Sequence, residues 1–248
     1  MRRIAKRIAL AATLLLPLSA PALAGERPVA VELFTSQSCY SCPPAEAFLN
    51  QLAQMKEVVA LEFHVDSWDQ IVYGGAGQWK DVFSQKAWTD RQRAYAQAIS
   101  RGGRAYTPQM VVGGRAEMIG SRRGEVLDAI DALRLAAPPG LDVAVRGGGD
   151  GGLRVAVSGE APGPATVWLA RFKRRHETQV LGGENHGKTL VNAHAVLAME
   201  AVGDWAGEAA EFPVPDPGLA EGEGCAVLIQ AGPAEPVLGA AYCPDPTS

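Results

Sequence analysis

The sequence lacks an excess of positive charge. Its 248 residues carry 23 Lys plus Arg against 27 Asp plus Glu, a formal net charge of -4. Nucleic-acid binders carry a basic patch or stripe, so that class is disfavoured. Beyond the N-terminus, no apolar run is long enough to span a bilayer. There is no internal repeat, which argues against a solenoid. His176, His186 and His194 show no ligand-like spacing. The segment from Gly182 to Thr189 ends in Gly-Lys-Thr, but it lacks the first glycine of a phosphate-binding loop and follows no strand-to-helix pattern, which excludes nucleotide binding on that motif. With 47% hydrophobic and 20% charged residues, the composition is that of a folded protein rather than a disordered one.

The N-terminus reads as an address. Arg2, Arg3, Lys6 and Arg7 precede a short apolar stretch from Ile8 to Leu18, and Ala22-Leu23-Ala24 supplies a small-x-small cleavage pattern. Residues 1–24 are expected to be a cleavable signal peptide, which predicts a periplasmic or secreted protein with no stable membrane insertion. Four basic residues leave with the leader, so the mature chain is more acidic still. All four cysteines stay: Cys39, Cys42, Cys225 and Cys243. In an oxidising compartment an even count suggests two disulfides.

Val29 to Thr35 is apolar and β-branched, with Glu32 inside it, and reads as a buried strand. Cys39-Tyr-Ser-Cys42-Pro-Pro follows a short turn. A helix is expected from Ala45 to about Met55, a strand from Val58 to Val65 and a helix from Lys80 to Ser100. A hairpin is expected from Gln109 to Val112 and Ala116 to Ile119 around Gly113-Gly114, then a helix N-capped at Ser121. Strand, helix, strand, helix, hairpin, helix is the thioredoxin arrangement. The fold class is therefore α/β: a thioredoxin-like domain at 25–137, with a central mixed sheet flanked by helices, then a β-rich, sandwich-like region at 138–248. The boundary falls at Ala137-Pro138-Pro139-Gly140. In the second region, Leu141 to Arg146 and Leu153 to Ser158 read as one strand pair. Ala165 to Phe172 and Glu177 to Val180 read as another, and Val191 to Val202 is ambiguous between strand and helix. Cys225 to Gln230 and Val237 to Cys243 read as a terminal hairpin. Opposed residues of an antiparallel pair have a constant index sum. Cys225 with Cys243 and Gln230 with Leu238 share that sum, so the two cysteines face each other in one register and are expected to form a structural disulfide.

Cys39 and Cys42 carry the chemistry. A cysteine pair between a strand and a helix in an exported chain suits thiol-disulfide exchange. The helix N-terminus stabilises a thiolate, so Cys39 attacks and Cys42 resolves the mixed disulfide. Two other uses remain open. One is a static disulfide in a non-catalytic adaptor. The other is a copper or other soft-metal site formed by Cys39, Cys42 and His64, since thiolates with imidazole suit Cu(I). The pair differs from that of true thioredoxins in its Tyr-Ser dipeptide and in Pro43-Pro44 after it. Proline disfavours the helical conformation of the preceding residue, so Cys42 is expected to sit in a pre-helix turn.

The thioredoxin arrangement implies further roles. In such folds a cis-proline starts the third strand and faces the cysteines, which points to Pro108. The backbone of the preceding residue, here Thr107, pairs with a partner chain. A buried acid lies below the second cysteine, and Glu32 holds nearly that sequence position, as a proton acceptor for Cys42. The segments VELFTSQSCYSCPPAEAFL, FHVDSWD, TDRQRAYA, YTPQMVVGGR and GKTL resemble the secreted, thioredoxin-like domain-of-unknown-function family twelve-twenty-three from about Val29 to Ala241. The reading is of an exported thiol-disulfide oxidoreductase with no cofactor, acting on exported protein thiols or disulfides.

Overall fold

The computed structural model describes residues 27–135, 141–149 and 151–245. The expected leader and the boundary at Ala137 to Gly140 lie outside the described residues. Strands β1 (Val29–Thr35) and β2 (Val58–His64) are parallel and wholly apolar over most of their length, as strands covered on both faces must be. Helix α1 (Pro43–Leu52) joins them, with proline at its first positions, where no backbone N–H is needed. It starts two residues earlier than the sequence suggested. Strands β3 (Gln109–Val112) and β4 (Ala116–Ile119) form the expected hairpin, with β3 antiparallel to β1. Gly113 and Gly114 take φ of 60° and 65°, as the tight turn demands.

Helix α2 (Lys86–Ile99) begins later than its apolar pattern indicated. The reason is Asp81. Its carboxylate accepts the Phe83 amide and its carbonyl accepts the Ser84 amide, which holds residues 81–84 in a turn instead of a helix. Helix α3 (Arg123–Leu135) closes this part of the chain.

Beyond it come β5 (Leu141–Gly147), β6 (Leu153–Gly159), β7 (Ala165–Lys173), β8 (His176–Gln179), β9 (Thr189–Asn192), β10 (Ala195–Trp205), β11 (Ala210–Val214), β12 (Glu223–Gln230) and β13 (Val237–Tyr242). The ambiguous segment is thus strand rather than helix, broken at Ala193-His194, where His194 takes φ of 56° between β9 and β10. The expected pairing of the seventh and eighth strands does not occur: β8 pairs with β9, and β7 lies between β10 and β12. The main sheet has eight strands in the order β13-β12-β7-β10-β2-β1-β3-β4. Ala195 of β10 lies parallel to Glu62 of β2, so segments on both sides of Ala137 share this sheet. A three-stranded sheet, β11-β6-β5, stacks on it.

Side-chain alternation splits the buried apolar residues of β12 between two cores. Ala226 and Leu228 meet Trp88 and Tyr95 of α2, while Val227 and Ile229 meet Val155, Val157 and Leu141 of the small sheet. Val31 and Leu33 of β1 face α1 and α3, and Ala30 and Phe34 face α2. Cys225 and Cys243 form a disulfide, and Cys243 N–H donates to the Cys225 carbonyl at 2.8 Å. Ala226 opposes Tyr242 in the expected register, but a shift after Ile229 sets Gln230 opposite Val237 rather than Leu238. The bulge turns the far end of the hairpin without disturbing the cysteine end.

One charged pair sits in the α2 core. Arg91 Nε and Nη2 donate to Glu32 at 2.6 and 2.9 Å, Nη2 also reaches Gln230 Oε1 at 3.0 Å, and Tyr95 OH donates to Glu32 at 2.8 Å. Substituting Arg91→Met leaves the buried Glu32 carboxylate uncompensated and is expected to lower unfolding stability by roughly 3–5 kcal/mol, measured by urea denaturation. Replacing both Cys225 and Cys243 with serine is expected to remove about 3 kcal/mol in the same assay, from the loop those cysteines close.

Candidate functional site

The turn after β1 and the start of α1 carry the cysteine pair. Cys39 and Cys42 are disulfide-bonded with Cα atoms 5.4 Å apart. Cys39 N–H donates to the Ser36 carbonyl, Cys42 N–H donates to the Cys39 carbonyl, and Cys39 Sγ lies 3.4 Å from Ser41 Oγ. Cys42 is the N-cap of α1 and has helical dihedrals, φ -79° and ψ -38°, despite the proline that follows. Residues 40–42 form the expected turn and bend before the helix, but Cys42 enters it with helical rather than extended dihedrals, so its carbonyl accepts the Ala45 and Glu46 amides of the first helical turn. Both cysteines have 0% exposure, whereas Tyr40 between them is 66% exposed.

Ionisable groups are buried beneath the pair. On α1, Glu46 stands one turn after Cys42, and helical residues four apart share a face. Its carboxyl accepts a 2.7 Å hydrogen bond from Thr35 Oγ1 at the end of β1. On β2, Glu62 and His64 share the parity of Val58 and Ala60, which pack on α1. His64 Nδ1 meets Asp81 Oδ2 at 2.7 Å, and its Nε2 faces Glu62 Oε1 at 3.4 Å without a well-formed hydrogen bond. Glu62 also accepts from Asn192 Nδ2 and the Ala193 amide. Asp81 accepts the Gln37 amide at 2.7 Å, which links the acids to the cysteine turn.

Burial and neighbouring charge set the protonation here. Burial, helped by the negative charge of Glu62, pushes the Glu46 carboxyl up to about 8 against the opposing pull of His64 and Thr35. Burial alone would lower His64, but the charge and hydrogen bond of Asp81, with Glu62, raise it well above the usual imidazole range. Burial likewise works against the Asp81 carboxylate, yet His64 and the Gln37 and Phe83 amides hold it below its ordinary value.

Glu32 is not part of this group. It lies on the opposite face of β1, toward α2, where Arg91 and Tyr95 engage its carboxylate. The proton-acceptor role expected of it does not fit that placement, because the sheet separates it from α1 and its oxygens already serve a guanidinium. Glu46, which the sequence reading passed over, stands one helical turn after Cys42 on the α1 side of the sheet. The same signal that marked Glu32, an acid within apolar residues, was present at Glu46 and Glu62. The Thr107-Pro108 peptide is cis at the start of β3, and the Pro108 carbonyl accepts the Gly120 amide.

The soft-metal alternative finds no matching cluster. Both sulfurs of Cys39 and Cys42 are joined to each other, and His64 is held between Asp81 and Glu62. Among the described residues no group of three or more His, Cys, Asp or Glu is arranged to hold a metal ion. Of the aromatic residues near this stretch, Trp79 donates to Gln37 Oε1 and its carbonyl accepts from Ser38 Oγ, so it flanks the turn. Trp88 is in the α2 core, and Trp68 stacks on Tyr73.

The fold and the site together define a mixed α/β protein with a buried disulfide that opens a helix above a cluster of ionisable groups. Within that class the chain belongs to the family described as protein of unknown function (DUF1223), whose model matches residues 30–230. It is also similar to a protein of Agrobacterium tumefaciens with an X-ray crystal structure from a structural genomics consortium. That likeness has 32% identity and a TM-score of 0.73, over 87% of this chain and 93% of the other. No curated protein matches the chain.

The raised Glu46 carboxyl makes stability depend on pH. Its folded value of about 8 exceeds the unfolded 4.5, so the native state holds the extra proton between these limits, and stability is lost as pH rises through them. His64, also raised, acts in the same direction but only above the ordinary imidazole value of 6.5. Between about pH 5 and 6.5, Glu46→Gln is expected to remove a fall of up to about 1.4 kcal/mol per pH unit from urea-derived stability.

Proposed function

We propose that the protein is an exported thiol-disulfide oxidoreductase acting through Cys39 and Cys42. The observation that carries this reading is the cysteine pair at the N-terminus of α1 with the protonatable Glu46 one turn below Cys42. In the reducing direction, the Cys39 thiolate attacks one sulfur of a partner's disulfide. That bond breaks, a mixed disulfide forms, and a partner thiolate leaves. Cys42 then gives up its proton and attacks the Cys39 sulfur, which regenerates the Cys39–Cys42 disulfide and releases the second partner thiolate. The partner gains the two electrons that the cysteine pair loses; oxidation of a partner dithiol is the reverse. A carboxyl near 8 is well matched to a thiol near about 8.5, so Glu46 can take or return the Cys42 proton in either direction. Thr107 and Pro108 are assigned to docking the partner's backbone, as in thioredoxin-like proteins. The basic, apolar leader at residues 1–24 supports export to an oxidising compartment.

One observation favours a second reading. Both sulfur-bearing residues are fully buried, as in a static structural disulfide. Equilibration against glutathione buffers, with peptide-resolved counting of alkylated thiols, separates the two. A redox-active pair is expected between about -270 and -120 mV; a value below about -300 mV, or no reduction in the native state, would assign Cys39–Cys42 to structure alone.

A further inference from the structure

The segment that ends in Gly-Lys-Thr is the tip of the β8–β9 hairpin, and it lies over the cysteine turn. Asn185, with 0% exposure, donates through Nδ2 to the Gln37 carbonyl at 3.0 Å and to the Cys39 carbonyl at 2.8 Å. The Glu184 amide donates to the Ser38 carbonyl, and the Tyr40 amide donates to Glu184 Oε2 at 2.8 Å. Four hydrogen bonds therefore tie this tip to residues 37–40. Gly183, at φ 70°, approaches so closely that a Cβ there would stand 2.8 Å from Ser38 Oγ. Gly182 is pressed closer still to the Gln78 loop, where a Cβ would overlap the Gln78 carbonyl oxygen, so the tip is wedged between two loops. Lys188 closes it from outside: Nζ donates to Asn185 Oδ1 at 2.9 Å and lies 4.4 Å from the centre of the Tyr40 ring. The tip keeps its own shape through bonds from Gly187 N–H to the Val180 carbonyl and from Val180 N–H to the Lys188 carbonyl.

We propose that Gly182 to Lys188 is a strap that shields the Cys39–Cys42 pair, with Asn185 as its latch, and that its release sets the rate of thiol exchange. The proposal rests on the oxidoreductase reading for its purpose. Disulfide exchange needs a nucleophile in line with the sulfur under attack, and a fully covered sulfur offers no such path. The strap's polar contacts go to backbone groups and to Tyr40, which are present whether the cysteines are oxidised or reduced. Opening it therefore speeds both directions alike and leaves the equilibrium potential in place.

The test follows reduction of the oxidised chain by dithiothreitol and its reoxidation by oxidised glutathione, with peptide-resolved alkylation to separate this pair from Cys225–Cys243. Asn185→Ala is expected to accelerate both directions at least tenfold, with the exchange equilibrium constant moved less than twofold. Lys188→Ala, at an exposed position, is expected to give a few-fold acceleration, and it decides the matter if Asn185→Ala fails to fold. Unchanged rates in a folded variant would overturn the strap, as would a change in the equilibrium constant that accounts for the whole rate change. A pair below about -300 mV whose reduction still accelerates in the variants would sustain the strap and reject the oxidoreductase reading.

Discussion

A guanidinium is taken out of water at a cost of several kcal/mol unless its N–H groups find acceptors and its charge finds a partner. Arg91 meets those demands with groups from distant parts of the chain. Glu32 comes from β1, Tyr95 from α2 itself and Gln230 from the end of β12. Phe63 and Tyr95 place their rings 5.7 and 5.2 Å from the guanidinium carbon, adding an attraction of the cation to aromatic faces. The pair is satisfied only when the first strand, the second helix and the penultimate strand are assembled together. That ties β1, α2 and β12 to one electrostatic requirement.

This requirement also divides the acids of the protein. The face of β1 that carries Glu32 is committed to α2 and the arginine. The other face carries Thr35, and it is there that Glu46, Glu62, His64 and Asp81 gather beneath the cysteines. Strand alternation sends Glu32 and Thr35 of β1 to opposite sides, and Glu62 and His64 of β2 share the Thr35 side, where α1 brings Glu46 and the turn before α2 brings Asp81. On one side the Glu32 carboxylate is engaged by the Arg91 guanidinium. The other holds a carboxyl near neutrality, with hydrogen bonds that lead through Asp81 and Gln37 to the cysteine turn.

The strap joins the second part of the chain to that turn. Gln37 Nε2 donates to Thr178 and Asn192 of the β8–β9 hairpin, while Asn192 reaches Glu62 on β2. The hairpin is thus anchored at its base by the acid cluster and at its tip by the cysteine turn. A two-stranded hairpin has little stability of its own, so these side-chain anchors hold it in place.

Much of this was legible in the sequence because it is local. Short apolar, β-branched runs marked β1 and β2, and the Gly113-Gly114 turn marked the β3–β4 hairpin, to the residue or nearly so. A constant index sum paired Cys225 with Cys243, and the strand-to-helix position of Cys39 and Cys42 marked the candidate site. What the sequence could not decide depends on which neighbour lies across a sheet face. Whether Glu32 or Glu46 lies on the cysteine side of the sheet turns on the pleat and on the helix above it. The partners of β7 and β8 follow from packing choices between strands far apart in the chain. The role of Asn185 depends on an approach across 146 positions to the Cys39 carbonyl. Local backbone preference carries no information about such contacts, since they are fixed by the burial of charge and apolar surface in the assembled fold.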